Sequence, residues 1–284
     1  MTSTGAIDSI NRRTMSTVVN EYHSIVAEGL NAQELAALAS VGPGIRHASI
    51  LDLGIGAGRT VGPLHALCER YTGVDYVQEM VDHCRSQFPG VQFERADARD
   101  MSLFPDLSFD LVFFSCNGIC MVDHAGRIAI LKEVSRVLKA GGTFLFSTCN
   151  RNSQEYEAVF RFPTFPGTKN PAKLLVRAVR FAVQTAYRLR NRLRFRKHEV
   201  KTEEYSIIND VFHHYSTMLY YIDIGRQLRQ LEGQGFSPVL QPYDLKGRPA
   251  GDGCRDGTLA FVAKKSVLTP VTGNGINATA CNPA

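Results

Sequence analysis

The sequence predicts an α/β protein built on a doubly wound, mainly parallel β-sheet. Strand-like and helix-like segments alternate about five times before residue 150, which is the pattern of successive βαβ units. The strand-like segments are short and nearly all apolar, as expected for parallel strands that helices cover on both faces. With 284 residues, of which 44% are hydrophobic, the chain can fill one large core.

The predicted core elements are separated by glycine, proline and other turn residues. In chain order they are helices over 18–28 and 32–38, a strand over 49–53, a helix over 61–70, a strand over 71–75, a helix over 77–87, strands over 91–95 and 109–116, a helix over 127–138 and a strand over 143–148. A helix over 227–235 and strands over 238–243 and 258–264 would complete the sheet after an interruption.

We therefore divide the chain into five parts. They are an N-terminal helical cap over 1–48, an α/β core over 49–150, an inserted lid over 151–222, the completion of the core over 223–265 and a tail over 266–284. The tail is rich in Gly, Asn, Thr and Pro and is expected to be disordered. Residues 1–15 are polar and are expected to be mobile.

Charge and cysteine content narrow the class of protein. The net charge is +5, but 173–197 holds nine basic residues and no acidic residue, so the remaining 23 basic and 27 acidic residues leave −4. Such a local excess argues against nucleic-acid binding across the main face. No apolar run approaches the roughly 20 residues of a membrane span, and 1–17 lacks the apolar stretch of a secretory signal. The seven cysteines lack paired zinc spacing, so we expect free thiols in the cytoplasm and no metal site.

The strongest motif is a glycine-rich turn between the first predicted strand and the next helix. It reads Asp52-Leu53-Gly54-Ile55-Gly56-Ala57-Gly58-Arg59. In open α/β sheets ligands bind at this end of the strands, and glycines let the backbone approach them. The G-x-G-x-x-G pattern of dinucleotide sites fails in both registers, because Arg59 and Val61 stand where its third glycine belongs. Asp52, Gly54, Gly56, Gly58 and Arg59 are therefore candidates for a different nucleotide-like site.

Acidic side chains after the next two predicted strands extend this site. Asp75 could accept hydrogen bonds from both hydroxyls of a ribose, or could simply cap a helix. Asp97 could accept a hydrogen bond from the amino group of an adenine. Tyr76, Met80 and Ala98 could form apolar walls for the base, although core packing explains Met80 equally well.

Three further segments carry a family resemblance. They are Phe113-Phe114-Ser115-Cys116-Asn117-Gly118-Ile119, Arg136-Val137-Leu138-Lys139-Ala140-Gly141-Gly142 and Tyr220-Tyr221-Ile222. With the glycine-rich turn, they make 49–150 resemble the class I S-adenosylmethionine (SAM)-dependent methyltransferases, and more closely the branch that acts on small molecules. Ala140 stands in place of the family's usual proline. The resemblance implies a Rossmann-like, doubly wound sheet of seven strands with the last strand antiparallel.

The resemblance also implies a cofactor and its contacts. The cofactor would be SAM and the product S-adenosylhomocysteine. Asp75 would contact the ribose, Asp97 and Ala98 the adenine, and Gly54 with the backbone of Ser115 and Asn117 the methionine part. Tyr22 lies on an N-terminal helix that often folds over SAM in relatives, or else packs against the sheet. Cys149 stands where relatives often have histidine, which argues against a catalytic role there.

Candidates for a general base lie after the fourth predicted strand and in the insertion. A base is needed only if the methyl acceptor arrives protonated. His124 could face the acceptor, or could begin a helix beside Asp123. His213, His214 and Tyr215 could line an acceptor pocket, although adjacent residues on a strand point to opposite faces, so at most one of the histidines would face inward.

The insertion also contains the basic run. Residues 172–189 have helical spacing, the arginines of 190–196 alternate with a strand-like period, and 201–210 could pair with 213–222 as antiparallel strands. The basic run could be the solvated face of a lid, attract an anionic acceptor, or dock on an anionic membrane or RNA.

These patterns together predict a SAM-dependent methyltransferase. Its acceptor would be a small molecule, natural-product or sugar-linked, methylated at N, O or C, and nucleic acid is disfavoured; a homodimer stays open. Two alternatives also stay open. One is an enzyme of the same fold that uses another carbon of SAM, by aminocarboxypropyl transfer or cyclisation, and releases methylthioadenosine. The other is a non-catalytic module that binds SAM or a partner.

Overall fold

The computed structural model describes residues 3–17, 28–160, 171–211, 214–237 and 240–267. The strands are β1 (Ser49–Leu53), β2 (Arg70–Asp75), β3 (Gln92–Arg95), β4 (Phe109–Phe114), β5 (Leu138–Asn150), β6 (Val200–Lys201), β7 (Ser206–Asp210), β8 (Thr217–Ile222), β9 (Leu240–Tyr243) and β10 (Thr258–Lys264). The α-helices are α1 (Ser3–Thr17), α2 (Ala32–Val41), α3 (Val61–His65), α4 (Gln78–Gln87), α5 (His124–Val137), α6 (Gln154–Ala158), α7 (Pro171–Phe195) and α8 (Ile224–Glu232).

Seven of these strands form the doubly wound sheet that the resemblance implies. The order β3-β2-β1-β4-β5 is parallel throughout. β10 pairs antiparallel with β5, and β9 pairs antiparallel with β10. The predicted Rossmann-like fold, with an antiparallel last strand, is therefore confirmed.

The core packs on both faces of this sheet because neighbouring strand residues point to opposite sides. On β1, Leu51 and Leu53 belong to one apolar cluster, while Ile50 belongs to the other. Polar side chains fix where the covering helices begin: Asp123 accepts from the Gly126 backbone N–H at 2.8 Å at the start of α5. Such capping satisfies a helix N–H that has no partner within the helix.

Three short strands after α7 add an extension to the same sheet. The antiparallel strands β6, β7 and β8 follow one another, and β8 pairs parallel with the last residues of β5. Cys149 of β5 is in register with Tyr221 of β8 and with Thr258 of β10. β8 therefore lies on the same side of β5 as β4 does, but it pairs with the last residues of β5. This places β8 next to the carboxyl ends of the parallel strands.

The strand-like period expected over 190–196 is wrong. α7 runs without a break to Phe195, because Asn191, Arg192 and Phe195 lie on one helical face that rests on the body of the protein. Asn191 is buried and donates to the His214 carbonyl at 3.1 Å. Arg192 donates to the Asn209 carbonyl at 3.2 Å and to Glu199. The alternating arginines are thus distributed around a helix.

For the described residues 3–15, the expectation of a mobile segment is also wrong, because they form helix α1. α1 buries Ile7, Asn11 and Thr14, which share one helical face. Asn11 donates its amide to the carbonyls of Met121 and Met218, at 2.7 and 2.8 Å, and accepts from the Met218 N–H at 2.8 Å. A polar helix can dock in this way when its polar side chains replace missing backbone partners.

Other expectations fall partly or wholly outside the described residues. The helix predicted over 18–28 and the tail over 266–284 are among them. Within the described part of the chain, no helix has both the length and the apolar character needed to cross a bilayer.

Candidate functional site

The main cavity lies at the carboxyl ends of β1, β2 and β4, beneath α1. The empty space inside it, solvent at the open mouth included, is about 1020 Å³. Its lining is predominantly apolar. The lining residues are Met15, Leu53, Gly54, Gly56, Val74, Asp75, Tyr76, Val77, Met80, Ala96, Ala98, Phe114, Ser115, Cys116, Asn117, Gly118, Met121 and Leu219.

The glycine-rich turn forms one wall, but its three glycines differ in role. All three have positive φ: 65° at Gly54, 53° at Gly56 and 95° at Gly58, a region that favours glycine. A Cβ on Gly56 would meet no atom within 4 Å, so packing does not exclude a side chain there. A Cβ on Gly58 would lie 2.7 Å from the Phe88 ring. Gly54 and Gly56 therefore border the cavity, whereas Gly58, a predicted cofactor residue, permits close packing behind it.

Asp75 is the buried carboxylate of the cavity. It accepts from the Gly56 N–H at 3.0 Å and from the Val77 N–H at 2.9 Å. Burial raises the pKa of Asp75 above its ordinary value, against the effect of these backbone hydrogen bonds. A ribose diol would supply two further hydroxyl donors to this carboxylate, so the residue suits the cofactor that the motif implies.

An apolar wall stands beside Asp75. Tyr76, Val77, Met80, Ala96 and Ala98 contribute to it, in agreement with the placement expected for Tyr76, Met80 and Ala98. The Arg12 guanidinium of α1 lies 4.5 Å from the centre of the Tyr76 ring and thereby joins α1 to this wall. A planar base would fit between such surfaces.

Asp97, expected to contact the adenine, is held by two arginines. It is not among the lining residues of the cavity. Its carboxylate accepts from the Arg99 side chain at 2.6 and 2.9 Å, from the Arg99 N–H at 3.0 Å, and from Arg12. These ion pairs lower the pKa of Asp97 in spite of its partial burial. The residue therefore anchors α1 over the cavity, and its contact with an adenine amino group stays a prediction.

Asp52 also lies behind the cavity wall. It is buried and accepts from the hydroxyls of Thr60 at 2.6 Å and Tyr71 at 2.7 Å. Burial raises the pKa of Asp52 to about 7. Thr60 directly precedes α3 and Tyr71 lies on β2, so the Asp52 carboxylate joins these two elements. It thus supports the glycine-rich turn from the side away from the cavity.

Arg59 has a similar supporting position. It forms a buried bidentate pair with Glu34, at 2.6 and 2.8 Å. The same guanidinium donates to Ser115 Oγ and to Cys116 Sγ, both at 3.1 Å. Arg59 therefore ties α2 to the segment after β4, and it reaches the cavity through these two residues.

The segment after β4 has two successive residues in the left-handed region. φ is 49° at Cys116 and 57° at Asn117, values that residues other than glycine rarely adopt. The Asn117 N–H donates to Ser147 Oγ at 2.8 Å, and its side-chain amide donates to Thr258 Oγ1 at 3.0 Å. This turn places Ser115, Cys116 and Asn117 on the cavity wall. Cys116 was not a predicted site residue, although it stands inside the motif.

Within the described residues, the candidate bases His124, His214 and Tyr215 do not line the main cavity. On β8, Leu219 lines the main cavity while the adjacent Tyr220 points to the opposite face. His124 is on the Tyr220 side, where its Nδ1 lies 2.9 Å from the Tyr220 hydroxyl and its ring stacks on Tyr205 at 4.4 Å. Burial, with a contribution from Arg127, lowers the pKa of His124. His124 thus occupies the alternative position, the start of α5 beside Asp123, and a role toward the acceptor stays a prediction.

His214 and Tyr215 form a turn before β8, both with positive φ, 57° and 61°. His214 is exposed, and the Tyr215 hydroxyl donates to the Val159 carbonyl at 3.3 Å. Neither residue lines the main cavity. His213 and Tyr22 lie outside the described residues.

The sequence candidates missed several hydrophobic lining residues, among them one on α1, one before α5 and one on β8. These three are Met15, Met121 and Leu219. Their apolar character is shared with many core residues, so no local signal separates them. Among the described residues, no group of three or more His, Cys, Asp or Glu side chains is placed to hold a metal ion.

Comparison with known proteins agrees with this geometry. Residues 50–142 match the family model of a methyltransferase domain. A probable SAM-dependent methyltransferase of Mycolicibacterium smegmatis is 31% identical over 103 residues, covering 36% of this chain and 38% of that protein. A fatty-acid O-methyltransferase of the same organism is 33% identical over 107 residues, covering 34% and 36%. The chain thus matches little more than a third of the length of these relatives.

A solved structure extends the agreement in fold. The 1,6-didemethyltoxoflavin-N1-methyltransferase of Burkholderia thailandensis, with bound 1,6-didemethyltoxoflavin and S-adenosylhomocysteine, aligns with a TM-score of 0.58 at 13% identity. The alignment covers 94% of this chain and 92% of that one. Fold, cavity and family match identify residues 50–142 as a class I SAM-dependent methyltransferase domain, and SAM is its cofactor.

Proposed function

We propose that the protein transfers the methyl group of SAM to a small-molecule acceptor and releases S-adenosylhomocysteine. The observation that carries this proposal is Asp75, a buried carboxylate in a predominantly apolar cavity beside the two glycines Gly54 and Gly56. Such a carboxylate suits the ribose of the cofactor, while the apolar walls suit its base.

The wall contributed by α1 and β8 supports an acceptor site next to the cofactor. Met15, Met121 and Leu219 add apolar surface to the cavity that Cys116 and Asn117 also line. Bound SAM supplies an activated methyl carbon. The protein residues align the two reactants and exclude water, which is the main catalytic contribution that a transfer of this kind needs.

The lining favours an acceptor that arrives without a proton on its nucleophile. Among the described residues of the wall there is no histidine, and Asp75 is engaged by two backbone N–H groups. A carboxylate oxygen or an unprotonated ring nitrogen needs no general base. The names of the fatty-acid and N1-methyltransferase relatives are compatible with these two classes. Because a carboxylate is one of these two classes, the proposal includes an anionic acceptor.

A cytoplasmic location is also part of the proposal. Six cysteines in the described part of the chain are free thiols, and three of them, Cys84, Cys120 and Cys149, are buried. Free thiols are typical of a reducing compartment. Trapping of accessible thiols in intact and fractionated cells would test this placement.

Titration calorimetry of SAM and S-adenosylhomocysteine tests the cofactor site. Asp75→Ala should weaken binding at least about 100-fold, because two charge-assisted hydrogen bonds to the ribose are lost. Asp82→Ala, an exposed carboxylate on α4, is the matched control and should bind as the wild type does. Equal affinity in the wild type and Asp75→Ala would contradict the assignment.

Product analysis tests the reaction. The wild type is incubated with SAM and a panel of carboxylic acids and nitrogen heterocycles, and the products are read by mass spectrometry. S-adenosylhomocysteine formed together with a methylated acceptor supports methyl transfer. Methylthioadenosine in its place would show that another carbon of SAM reacts. SAM binding without turnover of any acceptor tested would argue for a binding module.

A further inference from the structure

Helix α7 presents an apolar surface to solvent. Leu175, Val179, Ala182, Ala186, Leu189 and Leu193 recur with alternating spacings of four and three residues, so they form one stripe along the helix. The four largest of these aliphatic side chains, Leu175, Val179, Leu189 and Leu193, are 52–70% exposed. At 1.5 Å per residue the stripe is about 27 Å long. Exposed apolar surface of this extent marks an interaction site.

The stripe lies opposite the face by which α7 is held. That holding face contains Asn191 and Arg192, which bond to the His214 and Asn209 carbonyls. Val176 and Val183, 68% and 64% exposed, broaden the apolar face on one side. The exposed apolar surface is therefore wider than the narrow seam of a two-stranded coiled coil.

The charge around the stripe is uniformly positive. Arg180, Arg190, Arg194, Arg196 and Lys197 are exposed, and 173–197 contains no acidic residue. A second copy of α7 packed on the first would bring like charges together, which opposes pairing. RNA would use the arginines but would leave the leucines and valines in water.

We propose that α7 docks the protein on the surface of an anionic lipid bilayer. The apolar stripe enters the boundary between headgroups and acyl chains, and the flanking arginines contact lipid phosphates. Charge complementarity and the breadth of the apolar face both favour this partner. The long arginine side chains can extend toward the phosphates while their methylene groups cover apolar surface.

The docking surface is connected to the cover of the cavity. The turn before β8 accepts a hydrogen bond from α7 at the His214 carbonyl and one from α1 at the Ser216 carbonyl, where Thr14 Oγ1 donates at 2.6 Å. α1 in turn carries Met15 over the cavity. Helix α7, which would bind the bilayer, therefore contacts the same turn as α1, the helix that covers the cavity.

Flotation of the full chain with vesicles tests the proposal. Vesicles of phosphatidylcholine alone are compared with vesicles containing roughly 30% phosphatidylglycerol, whose charge supplies the attraction. The wild type should float only with the anionic vesicles, and less at high salt. Arg190→Gln with Arg194→Gln should weaken partition about 30-fold, at about fivefold per arginine. Val179→Gln with Leu189→Gln should weaken it by at least about tenfold.

Matched controls separate docking from general effects of charge and hydrophobicity. Arg46→Gln with Lys246→Gln removes two exposed positive charges elsewhere, and Leu35→Gln with Leu103→Gln removes two exposed leucines. Both pairs should float as the wild type does. SAM affinity and melting temperature, measured for every variant, should stay at the wild-type values, so a failure of the cofactor site would be seen separately.

Three results would overturn the proposal. The first is no flotation of the wild type with anionic vesicles. The second is a dimer by light scattering that Val179→Gln with Leu189→Gln converts to monomer, without vesicle binding, which would assign the stripe to a second copy. The third is binding of homopolymeric RNA that the arginine pair requires and the stripe pair does not, again without vesicle binding.

Discussion

The buried pair between Arg59 and Glu34 provides the sharpest test of the architecture around the site. Glu34 is 1% exposed at its side chain and Arg59 is 9% exposed. Arg59→Met would leave the Glu34 carboxylate buried with the Asn31 N–H, at 2.9 Å, as its remaining hydrogen-bond donor among the described residues. Removing one partner of a buried ion pair costs about 3–5 kcal/mol.

This loss can be measured by urea and thermal unfolding. For a chain of this size 1 kcal/mol corresponds to about 2 °C, so Arg59→Met should lower Tm by roughly 6–10 °C. The loss should change little with salt, because buried pairs are weakly screened. SAM should also bind more weakly, since Ser115 and Cys116 lose a shared donor.

A double-mutant cycle gives the interaction itself. Glu34→Gln combined with Arg59→Met should cost less than the sum of the single changes, by at least about 1 kcal/mol. Arg229→Met, which removes an exposed pair with Glu204, is the control and should cost under about 1 kcal/mol. A loss below about 1 kcal/mol for Arg59→Met, or strict additivity in the double variant, would refute the buried-pair reasoning.

Three further predictions follow from individual contacts. Burial raises the pKa of Asp52 to about 7, so the contribution of this group to stability is complete below its unfolded-state pKa near 4 and is lost as pH rises through 7. Asp52→Asn should therefore gain stability over the wild type between pH 5 and 8, by up to about 4 kcal/mol as measured by urea unfolding. The pKa of Asp110 is lowered although the residue is partly buried, chiefly through Lys139, so its contribution to stability should be lost as pH falls. A stability difference between Asp52→Asn and the wild type that does not change with pH would contradict the raised pKa of Asp52. Asn11→Leu should cost about 2–4 kcal/mol and weaken SAM binding, because it leaves backbone groups at Met121 and Met218 unpaired; Ser16→Ala on the exposed side of α1 should change neither. His124→Phe should keep the SAM Kd within about twofold while losing about 1 kcal/mol from the Tyr220 hydrogen bond, and a tenfold change in Kd would place His124 at the cavity after all.

The elements that were predicted well are those whose signal is local. β1 was predicted at 49–53 and occupies Ser49–Leu53, because a short apolar run that ends in glycines has few other solutions in an α/β chain. The position of Asp75 at the end of β2 follows from the same alternation, since parallel strands expose their carboxyl ends at one edge. β5 is longer than predicted, Leu138–Asn150 in place of 143–148, because Gly141 and Gly142 were interpreted as a helix end and lie within the strand.

The sequence by itself thus determined the class of fold, the cofactor and the glycine-rich turn, since each depends on residues close together in the chain. Only the tertiary structure decided which acids reach the cavity. Asp52, Asp75 and Asp97 all lie at or just after the carboxyl ends of predicted strands. However, the hydroxyls of Thr60 and Tyr71 hold Asp52 behind the cavity wall, and Arg12 and Arg99 engage Asp97. Long-range partners also decided that α1 is ordered and that His124 faces away from Leu219. The local sequence pattern around a residue does not predict such partners, because hydrogen bonds and ion pairs between distant segments form only when the sheet is assembled.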